Sequence, residues 1–229
     1  MKNKAISDAK RVIQIERKAL SLLEKRLNGS FSEAVDIIYK CKGRVIVTGL
    51  GKSGIIAQKI VATLNSTGTP SIFLHSADSV HGDLGIIRRG DVVICISKSG
   101  DTYELIQLLL AINQFDVKVI SIVGDVDSKL KDLSDVIIDA SVDQEACPYN
   151  LAPTTSTTAA LVMGDALAIA LLRKKEFTKE EFAMLHPGGI LGRKLLLRVS
   201  DLMISDQQIP KVKENALFKD VVFEISSKR

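Results

Sequence analysis

The chain has 229 residues, 46% of them hydrophobic and 25% charged, the composition of a globular domain rather than a disordered one. Only 4% are aromatic and there is no Trp, which excludes a platform that stacks nucleic-acid bases. The 31 basic and 27 acidic residues leave a net charge of +4, suited to small anionic ligands and too slight for a nucleic-acid partner.

The first twenty residues, MKNKAISDAKRVIQIERKAL, carry charges every few positions, so they predict neither a leader nor a membrane span. Ile6, Ala9, Ile13, Leu20, Leu23 and Leu27 instead form one helical stripe, closed by Asn28-Gly29. A second helix is expected from an N-cap at Ser30 to Lys42. Short apolar runs then alternate with helical patterns. Strands are expected at residues 44–50, 71–76, 91–97, 118–125 and 136–140, with helices over 53–67 and 102–114 between them. Strands that are apolar throughout belong to a parallel sheet covered on both faces. The fold class is therefore α/β, a doubly wound five-stranded parallel sheet flanked by helices. Such folds bind ligands at the carboxyl ends of their strands.

Residues 141–153 read as irregular and 154–175 as a long helix, apolar most of the way round, for the core or a subunit interface. No apolar run beyond the first twenty residues is expected to reach bilayer length, so no membrane partner is expected. Thr178 and Glu181 have the spacing of a capping box, and His186-Pro187-Gly188-Gly189 breaks the helix that follows. From Val199 the character of the chain changes, which sets domains of 1–198 and 199–229. The three cysteines, Cys41, Cys95 and Cys147, are an odd number without metal spacing, so reduced thiols in the cytoplasm are expected.

Two loops carry the chemistry. Gly49-Leu50-Gly51-Lys52-Ser53-Gly54 matches a dinucleotide fingerprint formally, yet His75 and Ser76 stand where that fold places its ribose-binding acid. A Walker loop fails as well, because Ile46 fills the position of its first Gly. What remains is a glycine turn that opens a helix toward an anion, with Gly51 and Ser53 at its start. After the third strand, Ser97-Lys98-Ser99-Gly100-Asp101-Thr102 brings three hydroxyls and a lysine to a second helix start. Hydroxyls and amides hold a phosphate ester without a metal.

Together TGLGKSG, HSADSVHGDLG, ISKSGDT, EACPYNLAPTTSTTAALVMGDALA and HPGGILGRKLLLRVSDLM resemble the bacterial D-arabinose-5-phosphate isomerases of the sugar isomerase (SIS) superfamily. The resemblance implies interconversion of D-ribulose 5-phosphate and D-arabinose 5-phosphate through a cis-enediol, supplying 3-deoxy-D-manno-octulosonate for lipopolysaccharide or capsule. It implies a cytoplasmic tetramer, a dimer of dimers with sites at subunit interfaces, no cofactor and no required metal. Residues 199–229 then resemble the opening of a CBS module. Ser53, Ser97, Ser99 and Thr102 match the phosphate shell, and Lys52, Glu104, Glu145, His186 and His81 match the functional set.

The chemistry fits these residue types. His186 is expected to open the sugar ring, since imidazole exchanges protons near neutral pH. Glu145, beside Pro148, is expected to be desolvated, more basic and the base that moves a proton between C1 and C2, with Glu104 an unranked rival. Lys52 is expected on phosphate or enediolate oxygen, and His81 next to Asp83 is expected to act across a subunit boundary. His81 and His186 are candidates to trap inhibitory zinc, with Cys147 as a soft ligand. Two other readings stay open: a sensor that binds a phosphosugar without turning it over, and an isomerase for a different sugar phosphate.

Overall fold

The computed structural model describes residues 2–79, 81–189, 192, 194–195, 198–205 and 208–228. They divide into two units, 1–182 and 183–229. The sequence pattern places its division at 198/199 instead. The earlier boundary falls within the short helix Lys179–Leu185, which His186-Pro187-Gly188-Gly189 brings to an end.

The first unit opens with α1 (Lys2–Arg26) and α2 (Gly29–Tyr39). The cap of α2 is Asn28, whose Oδ1 accepts from the Ser30 amide at 2.9 Å. Ser30 lies inside the helix, because the Asn28 side chain two residues earlier in the chain already caps it. Then follow β1 (Val45–Gly49), α3 (Gly51–Ser66), β2 (Ser71–His75), the short α4 (Ser76–Ser79), β3 (Val92–Ser97), α5 (Tyr103–Ile112), β4 (Lys118–Val123), β5 (Val136–Asp139), α6 (Thr155–Lys174) and α7 (Lys179–Leu185). All neighbouring strands are parallel, in the order β2-β1-β3-β4-β5.

Alternation within each strand feeds two cores. Val45, Val47, Ile94, Ile96, Ile120 and Ile122 face one core, which α2, α3 and α6 complete. Ile46, Val93, Cys95, Val119 and Val123 face the other, closed by Leu105, Leu108, Leu109 and Ile112 of α5. Burial on both sides is why these strands read as unbroken apolar runs. With β2 on one flank of β1 and β3 on the other, the crossovers diverge between β1 and β3, where doubly wound sheets open their ligand crevice.

α6 corrects one expectation, since its mean hydropathy of 1.6 and 20-residue length would suffice for a bilayer. Half of that apolar window is buried inside the fold, where α6 packs on α1, α2 and α3. Contact on several sides, rather than lipid, accounts for its composition. The capping box at α7 forms as its spacing predicts. The Thr178 amide donates to Glu181 Oε2 at 2.7 Å, and the Glu181 amide donates to Thr178 Oγ1 at 3.1 Å. In the second unit, α8 (Val199–Leu202) and α9 (Phe218–Ser227) bury no residue.

Candidate active site

At the carboxyl edge of the sheet a cavity of about 100 Å³ opens between the loops after β3 and β4 and the first turns of α3 and α6. Its polar wall consists of Ser53, Ser97, Lys98, Ser156 and Thr157. Ile56, Ile96, Ile122 and Ala160 supply the apolar wall. Two helices begin here, and the opening amides of α3, which no side chain caps, polarise the cavity toward an anion.

Each loop is shaped by its own sequence. Gly51 has φ +56° and starts α3 in a left-handed turn that favours glycine. Leu50, the residue before it, makes no side-chain cap, so the first amides of α3 keep their capacity to donate. In the second loop, Ser97 Oγ accepts from the Gly100 amide at 2.9 Å and lies 3.3 Å from Thr102 Oγ1. Ser99 is exposed and accepts from the Asp101 amide at 3.3 Å.

Glu145 is the electrostatic centre. Its side chain is 0% exposed, yet it is ionised, because five donors surround it. Oε2 accepts from the Thr154 amide at 2.8 Å, the Ser156 amide at 3.2 Å and Thr154 Oγ1 at 3.3 Å. Oε1 accepts from Ser156 Oγ and from Lys98 Nζ, each at 2.6 Å. Burial alone pushes this carboxyl up, but Lys98, Ser156 and the α6 amides outweigh it and bring the carboxyl down to about 2. The expectation that Glu145 is made more basic is thereby corrected. The Pro-containing loop does bury it, but against the amino end of α6 rather than against apolar surface.

The loop also ties itself together. The Glu145 amide donates to Asn150 Oδ1 at 2.7 Å and the Ala146 amide to Thr154 Oγ1 at 2.9 Å. Amides of Ala152, Leu151, Tyr149 and Asn150 draw the thiol of Cys147 below its ordinary range.

Of the residues singled out by the sequence, Ser53 and Ser97 line the cavity, and Thr102 touches it through Ser97. Glu145 stands behind Lys98 and Ser156. Gly51, Lys52 and Ser99 are exposed at the mouths of the two loops. Glu104 is half-buried in the first turn of α5, with no side-chain hydrogen bond among the described residues. His81 is exposed just after α4, where its amide donates to Asp78 O at 2.9 Å. His186 lies half-buried in the second unit. Among the described residues no three His, Cys, Asp or Glu side chains converge as metal ligands.

Sequence reasoning passed over Ser156 and Thr157 and left Lys98 without a role. The available signal was the hydroxyl run Thr154-Thr155-Ser156-Thr157-Thr158, which opens an apolar helix after Pro153 as the other two loops open theirs.

A SIS-domain family model matches residues 37–170. The arabinose 5-phosphate isomerase KdsD of Yersinia pestis is 48% identical over 219 residues, which are 96% of this chain and 67% of that protein. KdsD of Pseudomonas aeruginosa is 48% identical over 223 residues, 97% of this chain and 68% of its own length. Among solved structures, c3406 of E. coli CFT073 in complex with A5P superposes with a TM-score of 0.79 at 38% identity, covering 82% of this chain and 100% of that one.

Proposed function

We propose an aldose–ketose isomerase, starting from the fact that this chain belongs to the SIS-domain family. It interconverts D-arabinose 5-phosphate and D-ribulose 5-phosphate. The observation that carries this is 48% identity to curated arabinose 5-phosphate isomerases over 96% of the chain. The hydroxyl-lined cavity at the strand ends is the chemistry such a substrate needs.

The phosphate is held by Ser53 and Ser97 together with the opening amides of α3, and Thr102 fixes the Ser97 hydroxyl. Arabinose 5-phosphate closes into a furanose, so its ring must open before C2 can lose a proton. His186 carries that proton exchange. Removal of the C2 proton leaves an enediolate, and its return to C1 completes the ketose. Glu104 takes the base role, since among the described residues its carboxylate is not occupied by donors, whereas Glu145 is saturated by five. Lys52 lowers the cost of charge on the substrate oxygens. Doubly charged sugar phosphates do not cross a bilayer unaided, so the enzyme works in the cytoplasm beside its substrate.

Proton NMR of ribulose 5-phosphate in D₂O tests the assignment. Conversion to arabinose 5-phosphate with deuterium at C2 is expected, and His186→Ala should slow it by roughly 100- to 10,000-fold. Absence of conversion while the sugar phosphate still raises the melting temperature would move the assignment to a sensor or to another sugar.

The same reading includes a tetramer, a dimer of dimers, in which His81 reaches a neighbouring site. Its support is apolar surface shared by α1 and α6. Leu27 is 47% exposed, Val162 39% and Ile169 47%. Leu20, Leu27, Val162 and Ala166 line a shallow groove between the two helices. Sedimentation at micromolar concentration is expected to show an oligomer, and a monomer there would refute this assembly.

A further inference from the structure

Lys98 lines the cavity, its side chain is 46% exposed, and its Nζ sits 2.6 Å from the fully buried Glu145 Oε1. The two partners are bound unequally. Glu145 keeps four other donors, all from Thr154 and Ser156, at 2.6 to 3.3 Å. An ammonium has three N–H donors, and Glu145 engages one position on it. Among the described residues Lys98 has no other ion-pair partner. Losing Lys98 therefore costs the carboxylate one contact of five, while Lys98 is free to turn within a cavity whose other polar groups are hydroxyls. A phosphate dianion at equal distance attracts the ammonium about twice as strongly as a single carboxylate does.

We propose that Lys98 is an exchangeable substrate ligand, which releases Glu145 and turns to the phosphate of the sugar when that phosphate enters beside Ser53 and Ser97. Glu145 then competes with the substrate for one cation, and so sets how tightly phosphosugar binds. This rests on the reading of the cavity as the sugar-phosphate site. It goes beyond it by assigning affinity to a residue pair rather than to the hydroxyl loops.

Calorimetric binding of arabinose 5-phosphate, with turnover measured in parallel, decides the matter. Lys98→Gln should weaken binding about tenfold or more, the size of one charge-assisted hydrogen bond, with a larger effect on KM than on kcat. Lys98→Arg should restore most of that loss. Glu145→Gln, assayed well below its melting temperature, should bind several-fold more tightly than the parent. That gain should vanish in the Lys98→Gln/Glu145→Gln double variant. A merely structural Lys98 predicts the opposite pattern: unchanged binding in Lys98→Gln and no gain in Glu145→Gln. Either result overturns the proposal. If the parent turns over while Lys98→Gln binds like the parent, the exchange fails and the isomerase stands. If the parent shows no turnover but the affinity pattern holds, the exchange stands and the isomerase reading fails.

Discussion

Glu145→Gln is expected to destabilise the protein by about 3 kcal/mol, the lower end for breaking a buried ion pair. The amide cannot accept from all five donors, and its own NH₂ meets the Thr154 and Ser156 amides that also donate. For a chain of this length that loss lowers the melting temperature by about 6 to 12 °C. The pH dependence has a definite sign. The folded carboxyl lies at about 2, below the ordinary value of 4.5, so it contributes stability above roughly pH 4.5. That contribution is lost as pH falls from 4.5 toward 2. Urea melts of the parent should steepen across this window, and those of Glu145→Gln should lack that part of the slope. Equal acid sensitivity in both proteins would show that the carboxylate is not held as described.

Gly124→Ala is expected to cost about 100-fold in kcat/KM. A Cβ at Gly124 would stand 2.5 Å from the backbone oxygen of Lys98 and 3.3 Å from its carbonyl carbon. Backbone cannot yield as a side-chain tip does, so the Ser97-Lys98 turn must move by close to 1 Å to regain ordinary contact. The Gly124 amide donates to Ser97 O at 3.2 Å, so the same shift strains the junction of β3 and β4. A displacement of this size at positioning residues costs about 100-fold in rate, and overpacking adds about 1–3 kcal/mol of instability. Gly29→Ala is the control, since nothing lies within 4 Å of its Cβ position. Parent-like kinetics in Gly124→Ala would show that the turn tolerates displacement and does not place Ser97 and Lys98.

The two variants probe the cavity from different sides. Glu145 holds Lys98 from behind through charge, and Gly124 holds it from beneath through space. Both act on a lysine to which sequence reasoning gave no role. In the sequence it is one letter in a Ser-rich turn, and a surface lysine there would look the same. Its contact with Glu145 joins residues 47 positions apart, across β4 and β5.

Much was legible in the chain itself. The five strands, their parallel pairing and the helices between them follow from short unbroken apolar runs separated by helical patterns, because a strand buried on both faces leaves little choice of residue. The two phosphate loops were legible because glycine and hydroxyl residues at a strand-to-helix turn are a local feature. The capping box of α7 was legible for the same reason, as its bonds span three residues. The family followed from long ordered motifs.

What needed the tertiary structure was the sign of an environment. Burial raises a carboxyl and amide donors lower it, and the sequence shows only that Glu145 sits near a proline. Which effect wins depends on α6 arriving with its amino end, a distance of nine residues along the chain to Thr154 but 2.8 Å in space. Local patterns determine which elements form, because their physics is short-range. The ionisation of Glu145 and the partner of Lys98 were decided by packing, because electrostatic environment is the sum of groups that only the fold brings together.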